Sequence, residues 1–316
     1  MKIARDISDI EFDRKSAVTV GTFDGVHLGH RQIINELNKT KEEKGLRSVI
    51  VTFDPHPQIV LRNRDTDIKL LNTIEEKLDH FRELDIDLVY IINFTKEFSQ
   101  TSAVDFYKDY LIDGIGLSDL ILGYDHMFGK NREGSFETLK ELSSEHGFSV
   151  HKVGEYSPGG EHVSSTEIRH ALESGDIEKV TRLLGEKYSI SGTVIHGNKK
   201  GRELGYPTAN ISIDSPFKLI PKTGIYAVEV EIDGKKHYGM MSIGYNPTVT
   251  DEHELRLEVN ILDFNEDIYG QHIKIKFLEY LREEKKFDTL KELINEMNSD
   301  KEKTISIIEK INNKNN

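Results

Sequence analysis

The 316 residues predict about two domains at ~150 residues each, and 42 Lys+Arg against 55 Asp+Glu leave a net charge of −13. That balance excludes a nucleic-acid-coating or polybasic membrane-binding protein, and it holds in both halves: residues 1–186 carry 23 basic and 34 acidic side chains, the remainder 19 and 21. The absence of Cys excludes a disulfide framework, a thiolate zinc site and a cysteine nucleophile. No apolar run approaches the ~20 residues that span a bilayer, and Met1 to Glu11 alternates charge with Ile instead of forming a secretory core, so a cytoplasmic chain is expected.

From Ala17 to about Gly185, β-rich runs alternate with helical stretches. Ala17–Thr22 reads as a strand and leads into the apolar-periodic Gln32–Leu37, where the period changes from two to 3.6. Further strands are expected at Ser48–Phe53, Leu88–Ile92, Asp119–Gly123 and Phe148–Val153, with helices around residues 73–84, 97–112 and 135–146. Such alternation implies a parallel, doubly wound sheet. Thr73-x-x-Glu76 and Ser164-x-x-Glu167 have capping-box spacing, in which hydroxyl and carboxylate each satisfy an orphan backbone donor.

Beyond Tyr188, strands follow one another without helices, at 188–196, 207–213, 224–232, 236–244, 254–262 and 271–278, which predicts antiparallel β structure. Asp233-Gly234 marks a two-residue hairpin, because a type I′ turn needs positive φ at both centres. The tail from Asp288 to Ile311 reads as helical, with a break into two helices near Ser299-Asp300. The expected division is residues 1–186 and 187–316.

The segment Gly21-Thr-Phe-Asp-Gly-Val-His-Leu-Gly-His30 lies between the first strand and the first helix, at the carboxyl edge where parallel sheets bind ligands. Gly21, Gly25 and Gly29 allow close backbone approach, the helix start offers unpaired amides, and His27 and His30 can donate to phosphoryl oxygens. The same residues also fit a tight turn with incidental histidines. Asp24, His27 and His30 have the ligand types of a metal site, but a glycine-rich loop lacking a further obvious ligand suits an anion better. Downstream, Gly197, Gly201 and Gly205 surround Lys199, Lys200 and Arg202. They form either a phosphate flap or a basic hairpin turn, and not a Walker loop, since no Gly-Lys-Ser/Thr follows.

Four segments occur in order: residues 21–30, Thr52-Phe-Asp-Pro-His-Pro57, Gly123-Tyr-Asp-His-Met-Phe-Gly-Lys-Asn-Arg-Glu-Gly134 and Ser164-Ser-Thr-Glu-Ile-Arg169. The set resembles the adenylyltransferase module of bifunctional riboflavin kinase/FAD synthetases, itself similar to the nucleotidylyltransferase superfamily. Pro207-Thr-Ala-Asn210, Gly224-Ile-Tyr-Ala227, Ser242-Ile-Gly-Tyr-Asn-Pro-Thr248, Arg256-Leu-Glu-Val-Asn-Ile-Leu-Asp-Phe264 and Asp267-Ile-Tyr-Gly270 resemble the riboflavin kinase module of the same family.

The resemblance implies a Rossmann-like nucleotidylyltransferase domain followed by a small Greek-key β-barrel with a C-terminal helix. It implies that riboflavin is phosphorylated to FMN in the barrel and that AMP is then transferred from ATP to FMN, giving FAD and pyrophosphate, with ATP as co-substrate and Mg²⁺ as cofactor. His27 and His30 would act on the triphosphate, with Gly21, Thr22, Phe23, Asp24, Gly29, Ser164, Ser165, Thr166 and Arg169 around it. Asp125 would border the flavin. In the barrel Glu258 would be the catalytic base, Thr208 and Asn210 would lie at the metal, Gly197, Lys199, Gly201 and Gly205 at the phosphates, and Asn246 and Arg256 at the flavin. His56 reads as a residue of a rigid turn. By strand alternation Arg256, Glu258 and Asn260 share one face of their strand, and Leu257, Val259 and Ile261 the other. The expected partners are small molecules (riboflavin, FMN, FAD and ATP), with no nucleic acid and no membrane.

Overall fold

The structure, a computed structural model, describes residues 1–61, 68–124, 136–197, 205–245 and 255–314. It divides into two compact units, residues 1–165 and 166–316.

In the first unit, six parallel strands form one sheet: β1 (Lys2–Ala4), β2 (Ser16–Val20), β3 (Arg47–Phe53), β4 (Leu88–Ile92), β5 (Leu117–Leu122) and β6 (Ser149–Lys152), in the order β1-β4-β3-β2-β5-β6. Alternate residues enter different cores. Val18, Val20, Val49, Val51, Leu88, Tyr90, Ile92 and Leu120 pack on one face with Phe94, Phe106 and Tyr107. Ala17, Ile50, Val89, Ile91 and Ile121 pack on the other with Ile34 and Leu37 of the helix Leu28–Lys44 and with Leu78 and Phe81 of the helix Ile74–Glu83. A sheet buried on both faces requires strands that are mostly apolar, as the inner strands β2, β3 and β4 are, whereas the edge strands β1 and β6 are more polar and more exposed.

In the sheet unit, β1 and the helix near 97–112 depart from the sequence expectation. β1 pairs in parallel with β4 at the sheet edge, and at three residues it is too short to show a period. The helix expected near 97–112 is a 3₁₀ turn, Phe98–Gln100, followed after Thr101-Ser102 by Ala103–Asp105 and a π-helical Phe106–Ile115. The Ser102 side chain accepts from the Asp105 amide and so starts a new helix where periodicity alone ran on.

The second unit is a closed antiparallel barrel of β7 (Ser189–Ile195), β8 (Ala209–Ile213), β9 (Gly224–Ile232), β10 (Lys235–Tyr245), β11 (Leu255–Ile261) and β12 (His272–Arg282), ordered β10-β11-β8-β7-β12-β9. The spatial run β12-β9-β10-β11 is the Greek-key pattern, in which a fourth strand returns beside the first. Asp233 (φ 49°) and Gly234 (φ 72°) make the β9–β10 turn as the Asp-Gly pair predicts.

The tail forms one helix, Leu290–Lys314, and not two. Asp300, which reads as a breaker, is buried mid-helix, where the Arg282 guanidinium grips it through Nε (2.9 Å) and a second nitrogen (2.7 Å). Asp300 is therefore satisfied by strand β12 and has no need to compete for its own backbone. Asp300→Ala leaves the half-buried Arg282 with Glu296 (3.3 Å) as its remaining carboxylate partner, and the barrel unit is expected to lose up to about 3 kcal/mol in urea unfolding. Adding Arg282→Ala should cost much less than the sum of the two single changes.

Candidate active sites

The order of the parallel sheet reverses at β2: the chain proceeds from β2 to β3 on one side and has β5 on the other. Ligands of doubly wound sheets bind outside the carboxyl ends at such a point, and residues 21–27 leave β2 there. The Gly21 amide donates to the Val51 carbonyl (3.0 Å), and the Thr22 carbonyl accepts from Thr52 Oγ1 (3.4 Å). Phe23 turns inward against Phe81 and the edge of His30. The buried Asp24 directs its carboxylate at two amides, Leu71 (2.9 Å) and Asn72 (3.3 Å), while its carbonyl accepts from Ser165 Oγ (2.8 Å). Ser165 is the first residue of the helix Ser165–Ser174, which also carries Thr166 and, a turn further on, Arg169.

His27 caps the helix Leu28–Lys44: its Nδ1 accepts from the His30 amide (3.3 Å), which places the ring proton of neutral His27 on Nε2. The two imidazoles stack with centroids 3.7 Å apart and planes 16° from parallel. A side chain at Gly29 would press on the His27 ring at 3.2 Å. His30 is half-buried, yet its Nδ1 is shut off from solvent without a hydrogen-bond partner. Burial first, and then the charges of His27 and Lys77, hold its imidazole well below the usual histidine range. A buried ring nitrogen without a partner, beside a helix N-terminus, can donate to an anion.

Lys77 is the residue that sequence reasoning missed. It is 5% exposed, and its Nζ donates to the Thr22 carbonyl at 2.6 Å. The signal was its position: Ile74, Lys77 and Phe81 follow helical spacing, so Lys77 occupies an apolar slot of the stripe that also contains Leu78. The Thr73/Glu76 capping box forms as expected, with both reciprocal hydrogen bonds. His56 is a turn residue, its Nδ1 accepting from the Gln58 amide at 3.2 Å.

In the barrel, β11 sends Leu257, Val259 and Ile261 into the core. On its other face Glu258 lies in register with Asn210 of β8 and Ser242 of β10. Thr208 Oγ1 donates to Glu258 Oε2 (3.3 Å), and the buried Asn260 donates through Nδ2 to the Pro207 carbonyl (2.7 Å), fixing the start of the Pro207–Asn210 segment. Gly197 lies directly on the Asn210 side chain, where a Cβ would fall 2.0 Å from Nδ2. Thus Gly197, Thr208, Asn210 and Glu258, separated by up to about sixty residues, meet in one place. Gly205 takes a positive φ (80°) ahead of that segment, and Arg256 stands two residues from Glu258, opposite Gly244. The Tyr206 hydroxyl donates to Asn298 of the last helix. Asp125, Lys199, Gly201 and Asn246 lie outside the described residues.

Comparison with known proteins agrees with this two-part division. The family model for FAD synthetase matches residues 9–167 and that for riboflavin kinase residues 184–308. The bifunctional riboflavin kinase/FMN adenylyltransferase of Listeria monocytogenes is 38% identical over 95% of this chain and 94% of its own. That of Bacillus subtilis is 37% identical over 93% of each. A crystal structure from Streptococcus pneumoniae described as a macrolide-efflux protein superposes with a TM-score of 0.87 at 31% identity, covering 96% of this chain and 97% of that one. Among the described residues no helix is long and apolar enough to cross a membrane. The chain belongs to the bifunctional riboflavin kinase/FMN adenylyltransferase family.

The depressed His30 has a stability consequence. Its ordinary value is 6.5, so the unfolded chain takes up that proton first. The stabilisation from a neutral His30 is complete above about pH 6.5 and is lost as the pH falls towards the folded-state value. Urea unfolding at stepped pH is expected to show part of the acid loss disappearing in His30→Gln, and an unchanged pH slope would contradict the burial of this ring.

Proposed function

We propose that the chain carries out both activities of its family: phosphorylation of riboflavin to FMN by ATP in the barrel, and transfer of AMP from ATP to FMN at the β2 loop, giving FAD and pyrophosphate. The observation that carries the reading is the meeting of Thr208, Asn210 and Glu258 on one barrel face, together with the stacked His27–His30 pair at the β2 switch point. We assign residues 1–186 to the FMN adenylyltransferase domain and 187–316 to the riboflavin kinase domain.

In the barrel, Glu258 accepts the proton of the ribityl 5′-hydroxyl as that oxygen attacks the γ-phosphorus of ATP, and ADP departs. Thr208, hydrogen-bonded to the carboxylate, holds it in place for this role. The segment around Gly197, Lys199, Gly201 and Gly205 covers the phosphates, and Asn246 and Arg256 face the flavin. The donors Thr208 Oγ1, the Asn210 amide oxygen and the Glu258 carboxylate are hard oxygen atoms, which fits Mg²⁺. Thr208 and Asn210 would hold it, and when bound with ATP it neutralises polyphosphate charge.

At the first site a phosphate oxygen of FMN attacks the α-phosphorus and pyrophosphate leaves. This in-line displacement needs positioning and charge neutralisation and no protein nucleophile. His27 and His30, with Gly21, Thr22, Phe23 and Gly29 and the Ser164–Arg169 helix start, supply the donors, and Asp125 borders the flavin. Asp24 acts through its two amide contacts by shaping the loop. The enzyme is cytoplasmic and acts on small molecules, and the acidic balance of both halves supports the absence of a nucleic-acid partner.

Purified chain incubated with riboflavin, ATP and Mg²⁺ should yield FMN and FAD on chromatography, and failure to form either removes the reading. Glu258→Gln is expected to lower FMN formation by about 10²–10⁴-fold while FAD still forms from supplied FMN. Replacing His27 and His30 together by Ala should have the converse effect. Gly197→Ala displaces the Asn210 side chain, so it should reduce the kinase step alone, with little change in the unfolding midpoint.

A further inference from the structure

The turn that carries the two histidines is strained. Phe23 (φ 48°) and Val26 (φ 40°) are L-residues in the left-handed region, where a β-branched side chain is a true outlier. Such backbone persists only where its surroundings over-determine it. Most of the determining contacts come from one short stretch: the Leu71 and Asn72 amides hold the Asp24 carboxylate, and Lys77 Nζ holds the Thr22 carbonyl at 2.6 Å. Lys77 is the charged donor in this stretch and is almost wholly buried. Burying an ammonium is costly, and filling the slot would need only an apolar side chain.

We propose that Lys77 is a positioning residue for adenylyl transfer: by pinning the Thr22 carbonyl it sets the Thr22–Phe23 peptide plane, so that the Phe23 amide is presented to a phosphoryl oxygen of ATP. The inference rests on the adenylyltransferase reading of this loop. In a trans peptide the carbonyl oxygen and the following N–H point in opposite directions, so a carbonyl drawn towards the helix Ile74–Glu83 turns the next amide away from that helix. The Phe23 amide donates to no partner among the described residues, whereas its carbonyl accepts from the Val26 amide (3.2 Å). A fixed, unpaired backbone donor in the loop that leads to His27 and His30 is an element of preorganised charge stabilisation, effective only while its direction is held. Lys77 lies one layer below the reacting groups and acts through Thr22.

The test uses the full chain with FMN, ATP and Mg²⁺. Lys77→Met is expected to lower kcat for FAD formation by about 10²-fold, as a small misplacement of a donor does, with KM for FMN within about twofold and riboflavin phosphorylation unchanged. A merely structural role would lower the unfolding midpoint and leave kcat intact at temperatures where the variant is folded, and that result overturns the proposal. Lys77→Arg keeps a donor on a differently shaped head. In it, kcat and the amide exchange of residues 21–27 are expected to move together, and a wild-type kcat with loosened exchange overturns the proposal even where Lys77→Met does not fold. If the unmodified chain forms no FAD, the adenylyltransferase reading fails and takes this inference with it. If the unmodified chain forms FAD and Lys77→Met matches it, the inference alone fails.

Discussion

The backbone leaving β2 is held against its own conformational preference, and much of the first unit is arranged around that constraint. Two L-residues with left-handed torsions lie within four positions of each other, at Phe23 and Val26. Neither would stay there in an isolated peptide. They are retained by Phe23 packing on Phe81, by the Asp24 carboxylate on two amides, and by a buried ammonium on the Thr22 carbonyl. The helix Ile74–Glu83 is thus both a core element, through Leu78 and Phe81, and the backing of the loop. The result is a short turn at the carboxyl edge of the sheet that starts the next helix at His27 and stacks one histidine on the other.

The barrel solves a comparable problem by different means. Antiparallel pairing sends alternate side chains to opposite faces, so Leu257, Val259 and Ile261 build the core while Glu258 is carried past Asn210 and Ser242. Both neighbours are small and polar, and the carboxylate is held by one hydroxyl. Gly197 removes the side chain that would otherwise displace Asn210. The last helix belongs to this arrangement through Asp300 on Arg282 and Asn298 on Tyr206, the residue immediately before Pro207. The two units thus place their candidate site groups by backbone strain in one case and by strand register in the other.

A net charge of −13 would disfavour polyphosphate if it acted as a whole. Exposed charges beyond a Debye length of about 8 Å are largely screened, so the groups at each site decide. At the β2 loop the Asp24 carboxylate accepts from two backbone amides, and Lys77 and the helix start at His27 belong to the same loop surroundings. Burial keeps His30 neutral near neutral pH, so it offers hydrogen bonds without a full charge.

The alternation of strands and helices, the change to consecutive strands after Tyr188, the hairpin at Asp233-Gly234 and the ordered motifs were all legible in the chain, because each is a local pattern or a fixed spacing. The histidine pair, Glu258 and the Pro207–Asn210 segment could be named from spacing and resemblance, but their meeting could not. Tertiary structure alone decided that Lys77 reaches the Thr22 carbonyl, that Asp300 continues a helix instead of breaking it, that Lys2–Ala4 joins the sheet, and that Gly197 lies on Asn210. In each case the deciding partner is distant in the chain, and local propensity is worth less than one buried hydrogen bond or ion pair. What a residue is permits a short list of roles, and which role it takes depends on what the fold sets against it.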